Sequence, residues 1–240
     1  MNLLIDIGNS SVKWRLVNNK KIIINNQCFI KDFECKNLPS DSTITAVLIA
    51  NVNHASYAQS IHAWYQKQSV VVDILSQKSH PNLINNYQEK ERLGIDRWLN
   101  ALGAWKHFQQ SVFVISAGTA ITIDFVEQRD NDTPAYQGGM ILPGLTTALG
   151  ALNQSTANVN ASMNADISFP AKTTNASVST GITYAVMGAV NLVCRTQPAS
   201  VPLVITGGDA DWLLSHADPA WQSRLTAQKD LIFEGMLAYL

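Results

Sequence analysis

The chain has 240 residues, enough for one large domain or two small ones with a sizeable buried core. Its 46% hydrophobic and 15% charged content excludes a disordered chain, and a net charge of −1 provides no field favouring nucleic acid or an anionic membrane as partner. Three cysteines (Cys28, Cys35, Cys194) form no CxxC, the N-terminus lacks a basic leader, and no apolar run reads as long enough to span a bilayer, so a reducing cytoplasm is the expected location.

Leu3-Leu4-Ile5 reads as a buried strand, Gly8-Asn9 as a turn, and Val12 to Val17 as a second strand with the alternation of a half-buried one. The stretch Asp6-Ile7-Gly8-Asn9-Ser10-Ser11-Val12-Lys13 offers a phosphate group a close-approaching glycine, two hydroxyls, a carboxylate at its base and a lysine beyond. It is not a Walker loop, because no GxxxxGK[ST] is present and a strand follows. Read by itself, a plain hairpin is the commoner meaning of such a stretch.

Farther along, Lys21–Asn25 and Thr43–Ala50 predict strands, Ala55–Gln68 a helix and Val70–Leu75 a strand, followed by a polar loop of about ten residues. Ile95, Trp98, Leu99, Leu102 and Trp105 form the stripe of an amphipathic helix. Core packing is the simpler role for the two tryptophans. Asp96 and Arg97 stand near that helix's start, where Asp favours the dipole and Arg is ordinarily solvated.

Val112–Ile115 then predicts a strand, Ser116-Ala117-Gly118-Thr119-Ala120 a turn, and Ile121–Val126 an alternating strand. Gly118 lies 110 residues after Gly8, Thr119 matches Asn9, and Ser116 stands where Asp6 stood. A strand–glycine turn–strand repeated at nearly half the chain length predicts two similar halves, residues 1–110 and 111–240, each presenting a phosphate-facing hairpin to a shared cleft. Residues 127–137 read as a charged loop, and Gly138-Gly139 with Pro143-Gly144 leads into a helix through Leu152. Residues 153–170 read as a polar surface loop, Val178–Arg195 as a helix and Val201–Thr206 as a strand. That strand ends in Gly207-Gly208, which suits either a flat nucleobase or a tight strand–helix turn. Leu231–Leu237 predicts a helix closing the second half.

Together these segments resemble the type III pantothenate kinases of the acetate and sugar kinase/Hsc70/actin superfamily. The resemblance rests on Asp6-Ile7-Gly8-Asn9-Ser10 with Lys13, Tyr87 before Gly94-Ile95-Asp96-Arg97-Trp98, and Gly118-Thr119-Ala120 with Thr122 and Asp124. It continues through Gly138-Gly139, Pro143-Gly144, Thr174 before Gly181, and Thr206-Gly207-Gly208. It implies an α/β fold of two ribonuclease-H-like (actin-like ATPase) halves, with mixed sheets flanked by helices and an ATP cleft between them. It also implies ATP-dependent phosphorylation of pantothenate, the first step of coenzyme A biosynthesis, by a cytoplasmic homodimer whose partner subunit helps form the pantothenate pocket.

By the same resemblance, Asp6 to Lys13 and Thr119 bind ATP, Asp6 holds Mg²⁺ directly or through water, and Asp96 accepts the substrate proton. Tyr87, Gly94, Ile95, Asp96, Arg97 and Thr174 are the implied pantothenate contacts. Three positions depart from the family pattern. Ser116 replaces an aspartate that ligates a monovalent cation (K⁺ or NH₄⁺), Lys90 replaces a proline, and Ala157-Asn158-Val159-Asn160 replaces a Leu-Pro pair. The competing reading is a non-catalytic, nucleotide-binding accessory protein of the same family, which has no chemical need for Asp96.

Overall fold

A computed structural model of the chain describes every residue except Ser79, Asn131, Asn164 and Ala165. The apolar run before Gly8 forms β1 (Asn2–Ile7), the middle strand of a five-stranded sheet. β1 turns into antiparallel β2 (Ser11–Asn18), which turns again into β3 (Lys21–Phe29). Asn19 and Lys20 at the second turn have φ of 47° and 61°. Two such residues in succession give the twist that a two-residue hairpin requires.

β4 (Ala46–Asn51) lies parallel to β1 on its other side, and α1 (Ala55–Gln66) crosses over to the parallel β5 (Val71–Ile74). Side chains alternate across a strand, so each sheet face has its own partner. Leu3, Ile5, Ile7, Val12, Trp14, Val47 and Ile49 pack with Ala58, Ile61 and Tyr65 of α1. The opposite face carries Leu4, Asp6, Lys13 and Arg15.

The chain continues through the short β6 (Ile84–Asn85), α2 (Ile95–Phe108), β7 (Val112–Ala117), β8 (Ala120–Glu127) and β9 (Ala135–Pro143). Then come α3 (Leu145–Ser155), α4 (Thr174–Cys194), β10 (Leu203–Thr206), α5 (Ala210–Ser215), α6 (Pro219–Gln222), β11 (Leu225–Ala227) and α7 (Leu231–Met236).

The second sheet has six strands in the order β11-β10-β7-β8-β9-β6, with β6 parallel to the start of β9. Its central β7 has an antiparallel neighbour on one side and a parallel one on the other, as β1 does. The sequence repeat is thus a repeat of topology, and the expected α/β architecture of two mixed sheets flanked by helices is present. Phe113, Ile115, Ile121, Ile123, Leu203 and Ile205 pack on Ile182, Val186 and Val190 of α4.

Chain order does not give the two compact units. The first comprises Met1–Gln109, Gln128–Gln137 and Asp230–Leu240, and the second Gln110–Glu127 and Gly138–Lys229. The C-terminal helix therefore belongs to the first unit rather than closing the second. The reason is packing: α7 lies on α2 at backbone distance. A Cβ added to Gly235 would collide with the Leu99 carbonyl, and one added to Gly103 would collide with the Leu231 carbonyl. Trp98 Nε1 donates to Tyr239 Oη at 2.9 Å, and Lys106 pairs with Glu234 at 3.0 Å.

Two local readings also change, and a third, the polar stretch 153–170, gains detail. The predicted loop through residue 137 gives way at Ala135 to β9. Its Gly-Gly is there because a Cβ on Gly139 would collide with the backbone of Ile123 and Asp124. The polar stretch 153–170, of which Asn164 and Ala165 lie outside the described residues, is tied down by side chains. Asn153 exchanges two 3.0 Å hydrogen bonds with the Ala161 backbone, and Thr180 Oγ1 both accepts from Ser168 N and donates to Ser168 O at 3.1 Å. Finally, α4 is long and apolar enough, by length and composition, to cross a membrane, contrary to the sequence reading. Its buried Ser179, Thr180, Ile182, Thr183 and Val186 read instead as one face of a core helix.

Candidate functional site

In the first unit the phosphate-like hairpin forms as expected. Asp6 and Lys13 are directly opposite, and Gly8 N donates to Ser11 O at 2.9 Å to close the turn. The turn's carbonyls are engaged elsewhere: Gly8 O accepts from Asn53 Nδ2 at 3.1 Å and Ser10 O from Ile30 N at 3.0 Å. Asn9 and Ser10 remain exposed at the tip, with Ser11 half-buried. Asn53 was not singled out in the sequence; its position just past a buried strand was the available signal.

α2 follows its cap residue Gly94 and carries Asp96 in its first turn. Asp96 Oδ1 accepts from Arg97 N at 2.9 Å, and a Cβ on Gly94 would lie 2.5 Å from that same oxygen. Glycine is therefore what leaves room for the carboxylate. Arg97 is not solvated: it is 5% exposed, with its guanidinium carbon 5.8 Å from the Tyr87 ring centroid. Tyr87 neighbours Tyr136, which lies edge-on to the fully buried Trp98. Trp98 is thus core, as the simpler reading had it.

The loop around Lys90, where the resemblance implies a proline, is held by other contacts. Lys90–Arg92 form a short helical turn, and Gln77 Nε2 donates to Glu91 O at 2.9 Å and Leu93 O at 2.7 Å. Asn85 Oδ1 accepts from Tyr87 N at 2.9 Å. The structure thus brings Tyr87, Gly94, Ile95, Asp96 and Arg97 together, on the same unit as Asp6 to Lys13.

The second unit holds Ser116, Thr119 and Thr174. Gly118 N donates to Ala120 O at 3.0 Å, and Thr119 O accepts from both Gly144 N at 3.0 Å and Thr147 Oγ1 at 2.7 Å. A Cβ on Gly144 would strike the Gly118 and Thr119 carbonyls, and one on Gly207, at φ 99°, would strike the Ala117 backbone. These glycines, read from the sequence as motif residues, are what let backbone close on the turn from two sides. Thr174 is the first residue of α4, behind the capping Thr173.

Register shows how the repeat has diverged. This turn is one residue shorter, so Ser116 pairs with Thr122 where Asp6 pairs with Lys13. Ser116 also neighbours Thr206 on β10, so three hydroxyls stand in a row where the first sheet has Lys13, Asp6 and Ala50. Thr122 Oγ1 is buried with no partner among the described residues. One pair deeper on this face is Asp124, 1% exposed. Hard cations favour charged oxygens. A row of neutral hydroxyls is a poor match for the carboxylate-ligated monovalent cation. Mg²⁺ asks for less, one or two carboxylates with water and substrate phosphates completing its shell, and Asp6 fits that requirement.

A sequence model of the family described as type III pantothenate kinase matches residues 2–196. The type III pantothenate kinase of Cellvibrio japonicus is 30% identical over 252 residues, covering 100% of this chain and 96% of its own. That of Methylobacillus flagellatus is 28% identical, covering 98% and 95%. This chain belongs to the type III pantothenate kinase family. The family's reaction is ATP-dependent phosphorylation of pantothenate, the first step of coenzyme A biosynthesis. Two solved structures share the fold. A Campylobacter jejuni protein named for the Baf transcriptional activator family has a TM-score of 0.62 at 24% identity, covering 98% of this chain and 95% of its own. A Sinorhizobium meliloti protein named for 2-dehydro-3-deoxygalactonokinase has 0.64 at 12% identity, covering 99% and 95%.

Electrostatics distinguish Asp6 within this pantothenate kinase fold. It is 9% exposed, and burial pushes its pKa up from 3.8 to about 6, with Lys13 lowering it, Asp96 raising it and Arg15 lowering it. Because the folded value exceeds the unfolded one, folding favours the protonated form, and stability falls as pH rises between 3.8 and about 6. The rise corresponds to about 3 kcal/mol as an upper figure. Asp6→Asn is therefore expected to raise the thermal midpoint at pH 7–8, and to do so much less at pH 4. Calorimetry at the two pH values checks this; equal midpoints for the two proteins at pH 8 would refute it.

Proposed function

We propose that this chain is an active ATP:pantothenate 4′-phosphotransferase with Asp96 as its general base. The observation that carries the reading is the assembly, on one unit, of a carboxylate at a helix start with the Asp6–Lys13 hairpin and the Arg97–Tyr87 pair. In the reaction the Asp96 carboxylate takes the proton of pantothenate's primary hydroxyl as that oxygen bonds to the γ-phosphorus. The bond from γ-phosphorus to the bridging oxygen breaks, and ADP leaves with that oxygen. Phosphoryl transfer asks mainly for positioning and charge stabilisation. The Asp6–Lys13 hairpin, with Thr119, would hold the nucleotide phosphates, and Asp6 would hold Mg²⁺, which neutralises phosphate charge when bound. Buried Arg97, with its planar donors, suits the pantothenate carboxylate. Three free thiols fit a cytoplasmic location, and the partners are small molecules rather than nucleic acid or membrane.

A homodimer completes this reading. α4 carries no charged residue, and Thr174, Gly181, Tyr184, Gly188 and Leu192 form one exposed stripe along it. Tyr184 and Leu192 are 55% and 67% exposed. A mid-helix glycine costs about 1 kcal/mol relative to alanine, yet a Cβ on Gly181 or Gly188 would meet nothing within 4 Å in this chain. A second copy laid on the stripe would use those glycines, and Thr174, an implied pantothenate contact, is the stripe's first residue.

ADP release from purified protein with ATP, Mg²⁺ and pantothenate tests the activity. Asp96→Asn is expected to lower kcat by ~10²–10⁴ while keeping its circular dichroism. Nucleotide binding without pantothenate-dependent ADP release would favour the accessory-protein reading instead. With Ser116 in place of a carboxylate, turnover is expected to persist when K⁺ and NH₄⁺ are both withheld; its disappearance would refute the weakened cation site. For the dimer, light scattering is expected to give twice the chain mass, and Leu192→Glu to halve it and raise KM for pantothenate. A monomeric parent protein would end that part of the reading.

A further inference from the structure

β2 places two cations on the face that holds Asp6. Lys13 stands opposite Asp6, and Arg15, two residues on, stands opposite Leu4. Lys13 has a task at the phosphates, but Arg15 points to other partners. It is 6% exposed, and its Nη2 donates to Asp230 Oδ1 at 2.5 Å. Nη1 donates to Trp14 O at 3.0 Å, and the guanidinium carbon lies 4.4 Å from the Phe233 ring centroid. Its Nε is buried with no partner among the described residues. Removing a guanidinium from water costs several kcal/mol, and one carboxylate, one aromatic face and the Trp14 and Asn26 carbonyls, with Nε left over, recover that incompletely. Apolar side chains would fill the same place at no such cost, so stability is a weak reason for this arginine.

What Arg15 holds is α7. Asp230 immediately precedes the helix, its carbonyl accepting from Glu234 N at 3.0 Å, and Phe233 is 1% exposed within it. The glycine contacts at Gly103 and Gly235 press α7 onto α2 with no side chain between the backbones. Such a contact has little slack, because interiors are close-packed and transmit displacement. α2 in turn carries Asp96 in its first turn. One residue thus touches both the strand bearing Lys13 and the helix pair bearing Asp96.

We propose that Arg15, acting through Asp230 and Phe233, is a positioning residue that fixes Asp96 relative to Asp6 and Lys13 for phosphoryl transfer. This rests on the reading of Asp96 as the base.

The test uses the full-length enzyme and three variants: Asp230→Asn, whose side chain is 34% exposed, Arg15→Met, and the double variant. Each single variant is expected to keep its fold and to lose about ten- to a hundred-fold in kcat, with both KM values within about two-fold, as a small misplacement of a catalytic group does. Residues acting as a unit give non-additive losses, so the double variant is expected to lose no more than the worse single one. A merely structural pair would change thermal stability and leave kcat per folded molecule alone.

Wild-type kcat in folded Asp230→Asn overturns the proposal, as do losses that multiply in the double variant. If Arg15→Met does not fold, Asp230→Asn decides by its kcat. Asp96→Asn run alongside separates the two readings. Retained turnover there removes the base and this proposal together, whereas its loss beside an unaffected Asp230→Asn removes this proposal alone.

Discussion

A carboxylate buried at the end of a central strand is the constraint on which the first unit depends. β1 is apolar on both faces from Leu3 to Ile5, and Asp6 then places a group that prefers water where water scarcely reaches. Such a charge is tolerated only beside compensating groups. β2 supplies Lys13 directly opposite and Arg15 on the same face, while the remaining neighbour, Asp96, works against it. A buried carboxylate whose ionisation a second carboxylate disfavours, with two cations near it, is a costly arrangement for a plain hairpin. It is a natural one for a site that receives magnesium and phosphate charge.

The second sheet repeats the topology without the two cations. In register, Asp6 becomes Ser116, Lys13 becomes Thr122, and Arg15 becomes Asp124. The turn between them is instead built by close backbone approach, with Gly144 and Gly207 admitting neighbouring segments against Ala117, Gly118 and Thr119. One hairpin is thus specialised by charge and the other by backbone shape. The same architecture serves both because the strand pairing is carried by backbone hydrogen bonds, leaving the side chains of the polar face free to differ.

Glycine has a second structural task in the first unit. Gly103 and Gly235 let α7 meet α2 backbone to backbone, which draws the last eleven residues into that unit, Asp230–Leu240. Burial of Arg15 against Asp230 and Phe233 fastens the other side of α7. The helix that carries Asp96 in its first turn is therefore held along its length by groups far from it in the chain.

The sequence by itself determined much of this protein. Periodicity located most of the strands and helices, because alternation and the helical stripe are imposed locally by backbone geometry. The glycine turns at Gly8 and Gly118, 110 residues apart, announced the repeat, and the motif residues announced the family. Only the tertiary structure decided that α7 belongs to the first unit, that Arg97 is buried against Tyr87, and that Ser116 faces Thr122 and Thr206. It alone also revealed Asn53, Gln77 and Arg15 as the holders of the hairpin, the Tyr87 loop and α7. Each of these depends on which distant segment arrives beside a residue. Local pattern carries no record of that, since an arginine on a strand looks the same whether water or an aspartate 215 residues away completes it.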